Sequence, residues 1–244
     1  MERKNQHDTQ ELGFLTTCRK NGLVVEDEKM LRLSRYAGCL MKWNQKINLI
    51  SRKDEENLWQ NHILQSISPL FKIFLNSGLR VLDLGTGGGL PGIPWSILFD
   101  ECEFLLLDAT KKKVEAVAQM IEYLAIRNAH TVWGRAEDMG HQHNFKKTFD
   151  VVVSRAVAPL RDLIDWSAPF LISRASLHVG EKPDQLKLHI RSGSLLAFKG
   201  GDIDKEISSA KLKHPTLTMK AINLSFNGSE SLPFVDKKLV IVEF

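Results

Sequence analysis

Residues 81–94 read VLDLGTGGGLPGIP, a short apolar run against five glycines and two prolines. The flanking pattern decides what that run is. Downstream, short apolar runs alternate with helical stretches. RVLDL leads through the glycine turn to PWSILF. EFLLLDA leads to KKKVEAVAQMIEYLAI, AHTVWG to AEDMG, FDVVVSRA to LRDLIDWSAPFLI, and GSLLAFKGG to DIDKEISSAKLK. Two β-like pieces, TMKAINLSF and KKLVIVEF, end the chain. Short apolar runs separated by helices describe a mostly parallel sheet with helices on both faces, an α/β doubly wound fold.

Upstream of the turn, residues 9 to about 76 read as helical. Leu33, Tyr36, Ala37, Leu40 and Asn44 recur at helical spacing, apolar until the last member. In the next stretch Leu58, Asn61, His62 and Gln65 form one stripe, and Ile63, Ile67, Leu70 and Phe74 another. Asn76-Ser77-Gly78 then gives stop and turn signals. The expected organisation is an N-terminal helical region over residues 1–76 packed on a Rossmann-like domain over residues 77–244. One stretch, SRASLHVGEKPDQLKLHIRSGS, separates a helix from the next strand by roughly 20 residues where 2–6 are usual. It reads as a surface insertion near residues 173–193, with PDQLKLHI as a short extra helix.

Composition narrows the class. The chain has 244 residues, 43% hydrophobic and 25% charged, as in ordinary globular proteins. Its net charge of +4 permits a nucleic-acid partner without requiring one. The three cysteines, Cys18, Cys39 and Cys102, make no CxxC pair, so neither a zinc knuckle nor a disulfide framework is supported, and no metal is expected. The N-terminus is polar, and no apolar run approaches the roughly 20 residues that span a bilayer. A cytoplasmic, monomeric protein without membrane contact is expected.

Ligands of open α/β sheets bind at the carboxyl ends of the strands, so the glycine turn is the first place to look. A phosphate loop requires Lys and Ser/Thr after its last glycine, and Ile93 and Pro94 stand there instead. A dinucleotide fingerprint is literally present from Gly87 to Gly92, but a lone match is weak, and there the first glycine follows the strand directly. Here Asp83 precedes Gly85, Gly87 and Gly89 as D-x-G-x-G-x-G. An acidic residue at that point suits a cationic ammonium group and not a pyrophosphate, which favours S-adenosylmethionine. Asp108 ends the next strand, where a carboxylate accepts bonds from ribose hydroxyls in either kind of site. The Ala136-Glu137-Asp138 stretch in GRAEDMG suits adenine recognition. Pro91 and Pro94 sit where a turn and a first helical turn forfeit no backbone bond.

DLGTGGGLPGIP resembles the signature of the bacterial 16S ribosomal RNA guanine-N7 methyltransferases, the RsmG or GidB family. KWNQKINLIS, NHILQSI, GRAEDM, FDVVVSRAVAPL and LLAFKGG resemble further motifs of the family in the same order, over nearly the whole chain. Three positions depart. Asn61 and Gln65 replace the Arg and Asp of an R-H-x-x-D-S motif, and Lys237 stands where the family has Arg, keeping the charge without the planar fork.

The resemblance implies a class I S-adenosylmethionine-dependent methyltransferase fold and methyl transfer to N7 of a guanosine in the decoding-region loop of 16S ribosomal RNA. The partner is then that RNA, the small ribosomal subunit, or an assembly intermediate. Gly85, Leu90, Ala136, Glu137 and Arg155 fall on cofactor-contact positions of the family. Arg135, Arg155, Lys199 and Lys237 fall on basic positions linked to activity or RNA contact. With the residues argued above, the expected cofactor site is Asp83, Gly85, Thr86, Gly87, Gly89, Leu90, Asp108, Ala109, Ala136, Glu137 and Arg155. Arg155, Lys199 and Arg135 are expected to serve the reaction, and Arg135, Lys199 and Lys237 to bind RNA. The chemistry agrees with what the chain lacks. Exocyclic amine methylation calls for [DN]-P-P-[YF] after the fourth strand, where SRAVAPL stands; carbon-5 methylation calls for a nucleophilic Cys after a core strand. Lys111-Lys112-Lys113 reads as a solvated helix start or an RNA-steering patch, and His62 as a core histidine. Two rival readings stay open: a methyltransferase for another RNA position or a small molecule, and a non-catalytic nucleotide-binding module.

Overall fold

The computed structural model describes residues 2–173, 187–230, 232 and 236–244. Its N-terminal part holds α1 (Glu2–Lys20), α2 (Asp27–Asn44), a 3-10 turn over Arg52–Asn57, a π-helical stretch over Trp59–Leu64, α3 (Gln65–Ile67) and a second 3-10 turn over Ser68–Phe71. Then follow β1 (Ile73–Phe74), β2 (Arg80–Leu84), α4 (Gly92–Leu98), β3 (Glu103–Asp108), α5 (Lys111–Tyr123), β4 (Ala129–Trp133), α6 (Ala136–Met139), β5 (Val151–Arg155) and α7 (Leu160–Ser167). The chain closes with β6 (Leu188–His189), β7 (Ser194–Gly200), α8 (Asp204–Lys213), β8 (Thr218–Asn223) and β9 (Lys237–Glu243).

Seven strands form one sheet in the order β4-β3-β2-β5-β7-β9-β8. The first five run parallel, and β9 pairs antiparallel with both β7 and β8. Chain order reverses at β2, so the crevice for a ligand opens at the carboxyl ends of β2, β3 and β5. Side chains alternate between two cores, as strand geometry dictates. Val81, Phe104, Val151 and Val153 join α2, α4 and α5 on one face; Leu82, Val152, Leu195 and Ala197 join α7 and α8 on the other.

The helical region belongs to the first of these cores. Leu33, Tyr36, Ala37 and Leu40 of α2 are buried with it, and the final member of the stripe, Asn44, is a buried polar residue. Trp59, Ile63 and Ile67 are buried too, and Trp95 of α4 donates its indole N–H to the Ser66 carbonyl at 2.8 Å. Two local expectations change. Ile73–Phe74, expected as helix, is a strand in parallel pairing with Leu188–His189, the described end of PDQLKLHI and itself expected as helix. Strands of two residues are too short to show a period, and the pairing partner is distant in sequence. Residues 174–186 of the expected insertion lie outside the described residues.

Candidate active site

The glycine turn is built around Asp83. This side chain is wholly buried, and its Oδ2 accepts from Thr86 Oγ1 at 2.6 Å and from the Gly92 N–H at 2.8 Å. The carboxylate therefore closes the loop from strand end to helix start. A Cβ on Gly92 would stand 2.6 Å from Asp83 Oδ2, so only glycine admits the bond. Gly85 has φ +77°, and a Cβ there would overlap Val157 Cγ2, which ties the loop after β2 to the loop after β5. Asp83 Oδ1 is buried with no partner among the described residues. Burial pushes the Asp83 carboxyl up to about 7, against the opposing pull of its bonds to Thr86 and Gly92.

Helix α2 holds the turn from above. The buried Tyr36 hydroxyl donates to the Gly88 carbonyl at 2.9 Å. Asp108, at the end of β3, accepts the Gly87 N–H on Oδ2 at 2.9 Å and the Thr110 N–H on Oδ1 at 2.8 Å. A carboxylate with one bond on each oxygen retains acceptor capacity.

A cavity of about 440 Å³ opens over the turn. Of the expected cofactor residues, Gly85, Thr86, Gly87, Leu90, Asp108, Ala109 and Arg155 line it. Asp83 lies beneath its floor, and Gly89, Ala136 and Glu137 are not among its wall residues. The last two belong to α6, which starts beyond β4, the edge strand next to β3. Arg135, exposed at the start of α6, lines neither this cavity nor the next. Leu49, Ile50, His62, Lys113 and Val157 also form the wall, outside the residues expected there. The first three come from the helical region, and only a tertiary contact brings them in.

Arg155 ends β5 and reaches back into the helical stripe. Nη1 donates to Ser66 Oγ at 2.9 Å and to the His62 carbonyl at 3.3 Å. Nη2 donates to Gln65 Oε1 at 2.6 Å and to the Asn61 carbonyl at 3.1 Å, and lies 3.2 Å from His62 Nδ1. Every one of these acceptors is neutral. An arginine can only donate, so His62 accepts on Nδ1 and carries its proton on Nε2, 3.6 Å from Asp54 Oδ2. Burial, then the neighbouring Arg155, holds His62 down to about 4, so it is uncharged at neutral pH. Burial lowers Arg155 to about 10, which leaves it a cation. The departures at 61 and 65 become clear in this arrangement. Asn61 Nδ2 donates to Asp54 Oδ1 at 3.0 Å, and Gln65 accepts from Arg155; the two amides do not pair with each other.

Beyond Arg155 the wall continues through Ala156, a non-glycine residue at φ +57°, and Val157 into a second cavity of about 520 Å³. Lys199 and Lys237 line this second space with Arg155. Lys199 Nζ is 2.7 Å from Glu206 Oε2 and donates to the Ala158 carbonyl at 2.7 Å. Burial works against the Glu206 carboxylate, but its bonds from Lys199 and the Leu160 N–H hold it below the ordinary range. No partner within bonding distance is found for Lys237 Nζ among the described residues. No cluster of His, Cys, Asp and Glu that could hold a metal ion occurs among the described residues. Nor is any described helix long and apolar enough to cross a membrane.

The fold has known parallels. TYW2 of M. jannaschii, solved in complex with AdoMet, superposes with a TM-score of 0.52 at 13% identity, covering 81% of this chain and 78% of that one. A predicted O-methyltransferase of Agrobacterium tumefaciens gives a TM-score of 0.50 at 13% identity, covering 74% and 79%. Sequence relatives are nearer. "Ribosomal RNA small subunit methyltransferase G" of Pelodictyon phaeoclathratiforme is 39% identical over 86% of this chain and 81% of its own length. The protein so named in Chlorobaculum tepidum is 36% identical over 93% and 95%, and that of Streptococcus suis 32% identical over 94% and 89%. The family profile described as rRNA small subunit methyltransferase G matches residues 29–234. With its turn, its mixed seven-stranded sheet and this match over most of its length, the chain belongs to the GidB family of small-subunit ribosomal RNA methyltransferases.

Proposed function

We propose that the chain transfers a methyl group from S-adenosylmethionine to N7 of a guanosine in 16S ribosomal RNA. The observation that carries this reading is Arg155. It is a part-buried cation held only by neutral acceptors, and it forms the wall shared by two adjoining cavities. The cavity over the glycine turn takes the cofactor, and the one lined by Lys199 and Lys237 takes the guanine.

The residues present fit the cofactor. Asp83 Oδ1 is a buried acceptor without a donor among the described residues, under the floor of a cavity that receives a cationic ligand. Asp108 keeps acceptor capacity for ribose hydroxyls, and the missing Cβ of Gly85 leaves room where two loops meet. When bound, S-adenosylmethionine supplies a methyl group already activated on a sulfonium.

The protein's own work is then to align and to desolvate. Guanine N7 carries an in-plane lone pair and no proton, so no general base is required, and proximity accounts for most of the acceleration. The site agrees: His62 is neutral and bonded to Arg155, and Glu206 is neutralised by Lys199. Arg155 uses its Nη groups on the helical region, which leaves the Nε–H edge and the net charge for guanine O6. Lys237, unpaired among the described residues, meets a phosphate, whereas Lys199 is committed to ordering the Ala158–Leu160 rim through Glu206. Arg135, outside both walls, acts on RNA at the mouth.

Mass spectrometry of small-subunit RNA from cells with and without the protein tests the proposal. A single 7-methylguanosine that disappears with the protein is expected. Unchanged RNA modification, or methylation of a metabolite alone, overturns it.

A further inference from the structure

Away from the reaction cavities, the end of α2 and the last turns of α5 enclose a groove of about 270 Å³. Lys42, Trp43, Lys46 and Tyr123 are among the residues of its wall, with the buried Met120 behind them. Tyr123 is 67% exposed, an unusual amount for an aromatic ring with no partner of its own to cover it among the described residues. Lys46 Nζ stands 4.8 Å from the Trp43 ring centroid. The wall thus combines two aromatic rings and two ammonium groups with no carboxylate. Glu115 and Glu122, exposed on α5, lie outside it, and Glu115 is 3.9 Å from Lys111 Nζ.

The groove is built on a fixed turn. Asn44 is buried; its Oδ1 accepts the N–H groups of Leu49 and Ile50, each at 2.9 Å, and its Nδ2 donates to Glu55 at 2.6 Å. The same turn that carries Trp43 and Lys46 therefore places Leu49 and Ile50 in the cofactor-cavity wall. From Lys113 in that wall to Tyr123 runs about 15 Å of helix.

We propose that this groove is a second RNA contact, which stacks an unpaired base of the ribosomal RNA on Tyr123 and Trp43 while Lys42 and Lys46 meet its flanking phosphates. Aromatic faces beside cations are the chemistry that recognises unpaired bases, since every base offers a π-face and a phosphate. The proposal rests on the reading that the substrate is ribosomal RNA. It assigns the groove to substrate affinity and not to the methyl-transfer step.

The test is binding of small-subunit RNA to the full chain across a salt series, with wild type, Tyr123→Ala, Tyr123→Phe and a Lys42→Ala/Lys46→Ala double variant. Tyr123→Ala is expected to weaken binding roughly tenfold, the scale of one lost stacked base, with Tyr123→Phe near wild type. The lysine variant is expected to flatten the slope of log affinity against log salt by about 1.4, at about 0.7 per phosphate on a single strand. KM for RNA rises in both, while kcat at saturating RNA, cofactor affinity and Tm stay unchanged. If wild type binds and methylates the RNA but the variants keep its affinity and slope, the groove is not an RNA contact and the reaction assignment stands. If wild type binds no small-subunit RNA, both readings fall. Variants impaired only on assembled particles, with normal binding to protein-free RNA, assign the groove to a protein partner and overturn the proposal.

Discussion

Replacing Asp83 by asparagine separates what the fold needs from what the cofactor needs. Burial pushes the Asp83 carboxyl up to about 7 in the folded chain, from 3.8 for an exposed aspartate. A carboxyl whose pKa is raised on folding gives stability that is full below the unfolded pKa and lost as pH rises through the folded one. The wild-type chain without cofactor therefore loses stability between about pH 4 and pH 7 from this group. The difference between these two values makes that loss about 4 kcal/mol at pH 8. The Asp83→Asn side chain carries no charge and escapes it. Its carbonyl replaces Oδ2 as acceptor for Thr86 and Gly92, and its amide nitrogen takes the place of the unpartnered Oδ1, an orphan donor costing about 1–3 kcal/mol. The net expectation at pH 8 is a variant more stable than wild type by about 1–3 kcal/mol, with the gain gone by pH 5.

Cofactor binding moves the other way. A cation above the turn favours the ionised carboxylate, so wild-type affinity for S-adenosylmethionine is expected to rise between pH 6 and pH 8. Asp83→Asn removes both the affinity, by at least about tenfold, and its pH dependence. Urea unfolding of both proteins at pH 5 and pH 8, with cofactor titrations at the same pH values, measures all four quantities. An Asp83→Asn variant that is less stable than wild type at pH 8 and binds the cofactor normally would refute the reasoning, because Asp83 would then be only a loop-closing acceptor.

Arg155→Ala strands the Gln65, Ser66 and Asn61 acceptors, so methylation is expected to vanish and unfolding free energy to fall by about 2–4 kcal/mol without loss of the fold; full activity in that variant sinks the assigned role. Gly85→Ala requires a left-handed alanine that overlaps Val157, and calorimetry is expected to show cofactor binding lost, with partial recovery when Val157→Gly is added; no recovery means the backbone conformation alone decides. Asn61→Arg adds a cation on the side chain that bonds Asp54, and Gln65→Asp adds an anion on the side chain that bonds Arg155, so each alone is expected to reduce kcat/KM while the double variant regains most of it; simple additivity of the two in a double-mutant cycle excludes the coupling.

The sheet is legible in the sequence because each buried parallel strand is an unbroken apolar run: Val151, Val152 and Val153 are all buried, although they face alternate cores. The pairing of Ile73–Phe74 with Leu188–His189 is not, since two residues carry no period and backbone pairing leaves no mark on side-chain type. At the site, D-x-G-x-G-x-G locates the turn, but it does not say that Asp83 Oδ2 closes the loop through Thr86 and the Gly92 N–H while Oδ1 is left without a partner among the described residues. The stripe Asn61, His62, Gln65 is visible as a polar line on a helix. Its partner is not, because Arg155 lies 90 residues beyond Gln65 and only the folded sheet brings it there. Lys113 is readable as part of a basic helix start, but its place in the cavity wall follows from where α5 begins beside Ala109.

The helical region is therefore part of the site and not an appendage to it. It supplies Tyr36 to the glycine turn, Leu49 and Ile50 to the cavity wall, and five acceptors to Arg155. None of those acceptors carries a charge that offsets the guanidinium. A carboxylate at position 65 would pair with the guanidinium and cancel most of its field; Gln65 keeps the short bond and leaves the field in place. Asn61 makes the matching change, bonding Asp54 as an amide where an arginine would bring a cation. Relative to the R-H-x-x-D-S pattern, one positive and one negative group are lost together, so the local charge sum is unchanged while the guanidinium loses the anion that would touch it. Arg155 thus stays oriented by neutral bonds and keeps its charge, which in the proposed reaction meets the electron-rich edge of the guanine.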